Sequence, residues 1–376
     1  MSTHEVLVRR ITILPHPNAE RLELAQVDDY RCVVGKGLYQ TGDLIAYVPE
    51  QSILPEALAK ELELDGKLGS GNRVKPVRLR GELSQGVCVP WREGWVEGQN
   101  VADELGVTKW TPDVSNGPNR LRVRPNNVYH LGEQWTVSYD VENIKKFPTV
   151  IVESEEVVMT EKLHGTFGQF ILVNRTLLDE DTLQRLPDYT RDERSMFLFA
   201  VSSKGVGSRG DVLKLEDPAN ANLAYTRVAV TLQMRERMEQ VFAANDAPVT
   251  ICGEVYGPGV QDMTYGETGE GIGFRVFDIY LGTRSYGRYL NDAELDEACK
   301  ALGLERVPVL YRGPFDKAKM LELTDGKETV SGQAKHIREG VVVCPTVERR
   351  DPRAGRCKFK SVSAAYLTRS GGTEFN

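Results

Sequence analysis

The sequence lacks the features that mark several large classes of protein. It has no run of eighteen or more apolar residues, so no membrane-spanning helix is expected. The first residues contain neither the basic stretch nor the apolar stretch of a secretory signal. None of the six cysteines forms a Cys-x-x-Cys pair, which argues against a zinc site. Scattered cysteines are typical of a reduced compartment, and we therefore expect a cytoplasmic protein.

The short motifs of several enzyme classes are also missing. There is no Walker A phosphate loop, no His-Glu-x-x-His metal motif and no convincing Ser/His/Asp set. Net positive charge is absent as well, because the formal charge is -7 at pH 7. The local charge differs from the total: residues 71–94 and 349–360 carry an excess of Arg and Lys. We expect both segments to contact phosphate groups.

The 376 residues are enough for two domains. Short apolar stretches separated by Gly and Pro predict strands over 6–13, 22–27, 31–34, 43–48 and 73–80, with one helical segment over 55–62. Such a series is typical of a small OB-fold barrel. Residues 111–135 are rich in Pro, Asn and Gly, which predicts a linker. The expected organisation is an OB-fold-like, nucleic-acid-binding module over 1–110, a linker over 111–135 and a larger α+β domain over 136–376.

Basic and apolar residues alternate along segment 73–80, with a change of phase at Pro76. A strand with a bulge at the proline would place most cations on one face and the apolar residues on the other. A basic outer face on an OB strand can follow a phosphate backbone. The segment therefore predicts a nucleic-acid-binding surface made of Arg73, Lys75, Arg78 and Arg80.

Two amphipathic helices are predicted in the larger domain. One covers roughly 225–244, where Val228, Leu232 and Met238 recur at helical spacing. The other begins after Asn291, and Glu294 completes a capping box. We interpret both helices as scaffolding of the core.

The strongest chemical feature is a lysine at the end of an apolar run. Lys162 follows Val157–Met159 and precedes Gly165, which would let the backbone turn closely under a ligand. A lysine becomes a nucleophile only when its amine is neutral, so nearby cations and desolvation must depress its pKa. Lys-x-x-Gly alone is common by chance. Here it is followed in order by Ser203-Lys204-Gly205, Gly253–Gly257, Phe277-Asp278, Glu339–Val343 and Lys358–Lys360.

This ordered series resembles the covalent nucleotidyltransferase superfamily of ATP-dependent DNA ligases, RNA ligases and mRNA capping enzymes. It is most similar to RNA ligases of the Deinococcus type, a likeness also carried by segments 15–22, 139–146 and 365–373. The Leu163-His164 pair departs from the Asp-Gly form of DNA ligases and capping enzymes. DNA ligases also carry an OB domain after the Lys-x-Lys motif, whereas here the OB-like module comes first and only sixteen residues follow Lys360.

The resemblance implies an α+β nucleotidyltransferase domain, ATP-grasp-like, with antiparallel sheets behind a small all-β OB module. It implies that Lys162 accepts AMP from ATP while Lys358 and Lys360 contact the α-phosphate. Glu339 and Glu254 would hold a divalent ion, Mg²⁺ or Mn²⁺, because such ions prefer oxygen ligands. The remaining nucleotide contacts are implied at Glu161, Gly165, Ser203, Lys204, Glu254 and Phe277, where Phe277 would stack on adenine.

The resulting interpretation is an ATP-dependent RNA ligase that adenylylates a 5′-phosphate and joins it to a 3′-OH. Its expected partner is RNA, as nicked duplexes or RNA/DNA hybrid ends, with no membrane and no obligate protein partner. The alternatives are a DNA ligase, a capping-type nucleotidyltransferase, or an inactive RNA-binding protein. We expect the N-terminal module to grip nucleic acid and to contribute little to the lysine chemistry.

Overall fold

The computed structural model describes residues 4–111, 118, 121–186 and 195–373. The N-terminal module is rich in short antiparallel strands. Its elements are β1 (Leu7–Arg10), β2 (Thr12–Pro15), β3 (Leu22–Val27), β4 (Tyr30–Gly35), β5 (Leu44–Val48), β6 (Ser52–Ile53), α1 (Glu56–Glu61), β7 (Val77–Leu79), β8 (Glu82–Ser84), β9 (Val87–Pro90) and β10 (Thr108–Lys109). Strands β1, β5 and β9 form one sheet and β2, β3 and β4 another, while β6 pairs with β10 and β7 with β8. The predicted OB-fold module is confirmed.

The prediction of one strand over 73–80 is wrong. Only β7 is a strand, and its apolar residues Val77 and Leu79 are 40% and 41% exposed instead of facing a core. Pro76 has no N–H to donate to a ladder, which confines it to the start or edge of a strand. The hairpin turn at Arg80 and Gly81 has positive φ at both residues, so the chain reverses there.

The C-terminal unit contains two five-stranded sheets with helices packed on them. Its strands are β11 (Val128–His130), β12 (Glu142–Asn143), β13 (Glu156–Lys162), β14 (Thr166–Asn174), β15 (Phe197–Ser203), β16 (Asp211–Leu213), β17 (Val249–Tyr256), β18 (Gly273–Thr283), β19 (Tyr286–Tyr289), β20 (Val309–Pro314), β21 (Gly340–Pro345), β22 (Arg350–Asp351), β23 (Gly355–Arg356) and β24 (Phe359–Val362). The described helices are α2 (Glu180–Arg185), α3 (Lys204–Gly207), α4 (Ala224–Thr231), α5 (Met234–Phe242), α6 (Asp292–Leu302), α7 (Lys317–Thr324) and α8 (Ala364–Leu367).

The first sheet has the order β12-β24-β21-β13-β20, and the second sheet has the order β15-β14-β17-β18-β19. All neighbours are antiparallel except the short pair β12 and β24. Side chains of α4, α5 and α6 belong to the same apolar cluster as Phe170 and Ile251 of the second sheet. The predicted α+β class with antiparallel sheets is confirmed. No described helix is both long enough and apolar enough to cross a bilayer.

The linker prediction fails over its second half. Strand β11 pairs with β16 of the C-terminal unit, and Leu131 is fully buried in the same unit. A composition rich in Pro and Asn marks turns, and here the turns flank a strand. The predicted linker residues 112–117 and 119–120 lie outside the described residues.

The two helix predictions differ in outcome. The predicted helix over 225–244 is two helices, α4 and α5, because Gln233 takes a left-handed conformation with φ +49 between them. Helix α6 begins after Asn291, and the capping box with Glu294 is formed, so this prediction is confirmed.

Candidate active site

The predicted nucleophile lies where the chain crosses from one sheet to the other. Strand β13 of the first sheet ends at Lys162, and β14 of the second sheet begins at Thr166. A cavity of about 440 Å³ opens between the sheets at this point. Residues from both sheets line it: Lys162, Glu339, Lys358 and Lys360 on one side, and Glu254 and Phe277 on the other. The crossing therefore brings together residues that are widely separated in the sequence.

Lys162 pairs with Glu339 across the first sheet. The Nζ atom of Lys162 lies 2.7 Å from Oε1 of Glu339, and the Glu339 side chain is only 9% exposed. The backbone explains this proximity, because Lys162 is in register with Gly340. A Cβ on Gly340 would lie 2.1 Å from the carbonyl oxygen of Ser361 on β24. Glycine is thus required where the strand carrying Glu339 enters the sheet.

Glu254 closes the other side of the cavity and holds the loop that follows Lys162. Its Oε1 accepts a hydrogen bond from the backbone N–H of Gly165 at 2.8 Å. A Cβ on Gly165 would lie 2.2 Å from the carbonyl oxygen of Val255. Gly165 therefore allows close packing against β17, which differs from the predicted turn under a ligand.

The pKa of Lys162 differs from the depressed value that the sequence analysis predicted. Burial lowers the pKa of Lys162, but the carboxylates of Glu339 and Glu254 more than offset it, so the pKa is raised above its ordinary value. Burial raises the pKa of Glu254 to about 7, against the opposing charge of Lys162. Burial and the charge of Lys162 lower the pKa of Lys360. Of Lys162 and Lys360, it is therefore Lys360 whose pKa lies below its ordinary value.

Lys358 and Lys360 both line the cavity, as predicted for residues two apart on a strand. Lys358 is held by a buried carboxylate: its Nζ donates to Oδ2 of Asp278 at 2.8 Å and to the carbonyl oxygen of Phe277 at 3.1 Å. Burial alone would raise the pKa of Asp278, but Arg356 and Lys358 hold it well below its usual range. Asp278 therefore orients Lys358 towards the cavity wall.

An aromatic cluster forms one end of the cavity. Phe277 lies with its ring centroid 5.0 Å from that of Tyr139 and 5.9 Å from that of Phe167. All three rings line the cavity. The Tyr139 hydroxyl donates a short hydrogen bond to Asp278, which ties this cluster to Lys358. Flat aromatic surfaces of this kind can stack on a nucleobase.

A family-level sequence match covers the segment that contains these cavity residues. The sequence model of the RNA ligase family matches residues 155–362, a span that contains Lys162, Glu254, Glu339 and the Lys-x-Lys segment. The chain belongs to the RNA ligase family. An OB-fold domain family also matches, over residues 6–91. Comparison with curated protein sequences gives no match.

Solved structures of another RNA ligase have the same fold as this ligase. The Naegleria gruberi RNA ligase, as a mutant with AMP and Mn, is 22% identical with a TM-score of 0.73, covering 97% of this chain and 98% of that one. The same enzyme with PPi is 22% identical with a TM-score of 0.72, again covering 97% and 98%. A further mutant with ATP and Mn has a TM-score of 0.71 at 22% identity, covering 96% and 98%.

Three residues predicted to contact the nucleotide, Lys204, Ser203 and Glu161, differ in where they lie relative to the cavity. Lys204 lines the cavity, and its Nζ lies 3.6 Å from Oδ1 of Asp140. Ser203 is buried and is not among the described residues that line the cavity. The carboxylate of Glu161 accepts hydrogen bonds from the N–H and hydroxyl of Thr329, at 3.0 and 2.6 Å for Oε2. Glu161 also lines the cavity, and its carboxylate anchors the segment before β21.

The N-terminal module contributes side chains to the lining of the lysine cavity, a position that the sequence analysis did not predict for it. Glu50, Gln51, Lys109 and Trp110 all line it. Pairing of β10 with β6 brings Lys109 opposite Ser52, next to Gln51. No local pattern around Lys109 identified it, because its place depends on a pairing with a distant two-residue strand.

A second feature missed in the sequence is the anchoring of the loop after Lys162. Nε2 of His164 lies 2.8 Å from Oδ1 of Asp262, and Nδ1 lies 2.9 Å from the hydroxyl of Tyr366. The guanidinium of Arg369 lies over the Tyr366 ring, with Cζ 3.7 Å from the centroid, and contacts Asp262. The C-terminal segment of the ligase thereby fixes the loop that carries His164.

Two arginines of the basic segment 349–360, which is predicted to contact phosphate, form ion pairs within the protein. Arg349 pairs with Glu155, and Arg356 pairs with both Asp278 and Glu348. Lys358 and Lys360 of the same segment line the cavity, so phosphate contact stays a prediction for these two lysines. Arg73, Lys75 and Arg78 line a second cavity next to the first, whereas Arg80 lies in the hairpin turn and lines neither.

Proposed function

We propose that this RNA ligase is ATP-dependent and works through a covalent Lys162–AMP intermediate. One observation carries the proposal: the Lys162 amine lies inside a cavity, with Glu339 and Glu254 on its two sides and an aromatic cluster at one end. The structures of the Naegleria gruberi enzyme contain ATP, AMP or PPi: ATP is the substrate of such a step, PPi is the product that it releases, and AMP is the group that is transferred.

The residues of the cavity also fit a divalent metal ion, Mg²⁺ or Mn²⁺. Oε2 of Glu339 is buried and has no hydrogen-bond partner in the described part of the chain, so this oxygen has a coordination site available. No set of three or more His, Cys, Asp and Glu side chains among the described residues could hold a metal ion. We infer that Glu339, with Glu254, supplies part of the ligand set and that phosphate oxygens and water supply the rest. A bound ion would neutralise charge on the triphosphate.

The proposed chemistry is three displacements at phosphorus. The neutral amine of Lys162 attacks the α-phosphorus of ATP, and the bond to pyrophosphate breaks. A 5′-phosphate oxygen of RNA then attacks the same phosphorus, and Lys162 leaves. Finally a 3′-hydroxyl attacks the activated 5′-phosphorus and AMP leaves. Lys358 and Lys360 stabilise the charged phosphoryl oxygens, and positioning by the two sheets carries much of the rate.

Nucleotide recognition follows from the aromatic cluster. We infer that Phe277, supported by Tyr139 and Phe167, stacks on adenine, while Lys204 and the Gly165 loop contact the ribose and phosphate. Glu161 lines the same cavity, and its carboxylate supports the loop at Thr329. Ser203 contributes by packing behind the cavity wall.

The order of the two modules supports a finer assignment. We infer a Deinococcus-type RNA ligase, because the OB-fold module precedes the ligase unit and the Lys-Leu-His-Gly segment follows that pattern. The proposed substrates are nicked duplexes with RNA, or RNA/DNA hybrid ends, and repair of RNA breaks without an obligate protein partner. The six free cysteines, five of them buried, support a reduced compartment such as the cytoplasm.

Self-labelling is the direct test. The full-length chain is incubated with α-labelled ATP or GTP and with Mg²⁺ or Mn²⁺, then denatured, and covalent label is measured. We expect label from ATP alone, on the peptide that contains Lys162, and sealing of nicked duplexes with an RNA 3′-OH. Label from GTP would indicate a capping-type enzyme. Absence of label with every metal would leave an RNA-binding protein and contradict the proposal.

A further inference from the structure

A second cavity adjoins the lysine cavity. It has a volume of about 610 Å³ and lies between segment 73–78 of the N-terminal module and segment 367–372 near the C-terminus. Glu50, Gln51, Trp110 and Leu367 line both cavities. The two cavities therefore share part of their walls, which would let a polymer bound in the second extend towards Lys162 in the first.

The lining of the second cavity is strongly basic. Arg73, Lys75, Arg78 and Arg369 face a single acidic residue in the described lining, Glu50. Among the described residues, neither Lys75 nor Arg78 forms an ion pair; Arg78 donates to the carbonyl oxygen of Gly81 at 3.1 Å and to the Thr368 hydroxyl at 3.4 Å. In a concave surface, the positive charges of Lys75 and Arg78 attract phosphate groups.

An aromatic ring lies at the junction of the two cavities. The Arg73 guanidinium packs over the Trp110 ring, with Cζ 3.3 Å from the ring centroid. This cation–π contact fixes the indole in the wall shared by both spaces. A basic groove beside an aromatic ring is the combination that binds single-stranded nucleic acid, since the groove takes phosphates and the ring takes a base.

We propose that the second cavity binds the RNA strand whose 5′-phosphate receives AMP. Lys75 and Arg78 contact its backbone phosphates, and Trp110 stacks on the terminal base, so that the 5′-phosphate enters the lysine cavity. This proposal rests on the proposed ligase function. The C-terminal segment participates because Arg369 both lines this cavity and contacts Asp262, which holds His164 in the loop after Lys162. The strand and the nucleophile are thus positioned by one connected set of residues.

The test combines RNA binding with self-labelling in the full-length chain. A Lys75→Ala, Arg78→Ala double variant is compared with wild type and with a Lys36→Ala, Lys67→Ala control, whose two lysines line neither cavity. Affinity for a nicked RNA duplex with a 5′-phosphate is measured at several salt concentrations. We expect the double variant to bind about 10-fold or more weakly, with a log–log salt slope smaller by about two, because two phosphate contacts are lost. The control should match wild type.

A second duplex substrate shows which RNA strand the second cavity binds. On a duplex that lacks the 5′-phosphate strand, the double variant and wild type should bind equally; a persisting difference would assign the cavity to another strand and overturn the proposal. An unchanged salt slope on the nicked duplex would also overturn it. If the variant binds RNA normally but loses self-labelling, the cavity serves the phosphates of ATP. Failure of wild type itself to self-label would instead contradict the proposed function.

Discussion

The amine of Lys162 and the carboxylate of Glu339 lie 2.7 Å apart in a cavity, where the Glu339 side chain is buried and that of Lys162 is partly exposed. The same carboxylate keeps the lysine charged and presents one oxygen without a partner in the described structure. A carboxylate that turns to a cation stabilises the lysine ammonium less. We infer that engagement of Glu339 by a metal ion and loss of the lysine proton are linked.

Replacing Lys162 should abolish covalent labelling. Lys162→Ala removes the nucleophile, and Lys162→Arg should fail equally because a guanidinium does not give up its proton. Label from α-labelled ATP is measured on the denatured protein. Lys300→Ala, an exposed lysine on α6, is the matched control and should label as wild type does. Label that survives on Lys162→Ala would remove this residue from the mechanism.

Replacing Glu339 should have two separable effects. Glu339→Gln removes the nearest negative charge from Lys162, so the pKa of Lys162 should fall, and its reaction with an amine-specific reagent should begin at lower pH. The rate of AMP transfer should drop by ~100-fold or more, since one lost preorganised charge contact costs about 3 kcal/mol or more. Peptide mass spectrometry measures the amine modification of Lys162 at each pH, and the rate of covalent labelling measures AMP transfer. Glu305→Gln, whose side chain is 73% exposed, should change neither.

Lys109 should contribute to self-adenylylation from the N-terminal module. Its side chain lines the lysine cavity, where a cation can stabilise the charge of the triphosphate. We expect Lys109→Ala to slow labelling by about tenfold, a loss of ~1.4 kcal/mol, with folding unchanged. Lys67→Ala in the same module is the control. Equal labelling rates in the two variants would restore the expectation that this module only grips nucleic acid.

Asp262 should make stability depend on pH in the acid range. Burial alone would raise the pKa of Asp262, but His164, Arg369 and Thr373 hold it well below its usual range. A depressed pKa in the folded state gives stability that is present above the unfolded value, ~3.9, and is lost as pH falls below it. Asp262→Asn should lower the free energy of unfolding by about 1 kcal/mol at pH 6, because the site is partly exposed.

The measurement is urea unfolding of both proteins across the pH range 3 to 7, in steps. The difference between wild type and Asp262→Asn should be constant near neutral pH and should shrink towards pH 3. A difference that stays constant over the whole range would mean that the hydrogen bonds of Asp262 do not depend on its charge.

Several features of this ligase could be predicted from local patterns. The capping box at Asn291 depends on residues three apart, and it is formed as predicted. The helix prediction over 225–244 failed at Gln233, because apolar spacing does not report a left-handed residue in the middle of a periodic stretch. The strand prediction over 73–80 failed for a related reason. Alternation of basic and apolar residues is a property of one segment, whereas pairing with another strand depends on the rest of the module.

Local sequence patterns were enough to predict the family, the OB-fold module and five residues that line the cavity: Lys162, Glu254, Glu339, Lys358 and Lys360. Short motifs carry that information, because covalent chemistry at phosphorus needs particular residue types in a given order. The contacts between these residues and their partners, in contrast, depend on the packing of the whole chain. Asp278 holds Lys358 from 80 residues away, and Lys109 enters the cavity through a pairing with another strand. Such contacts depend on how two sheets and a module pack, and no local pattern encodes them.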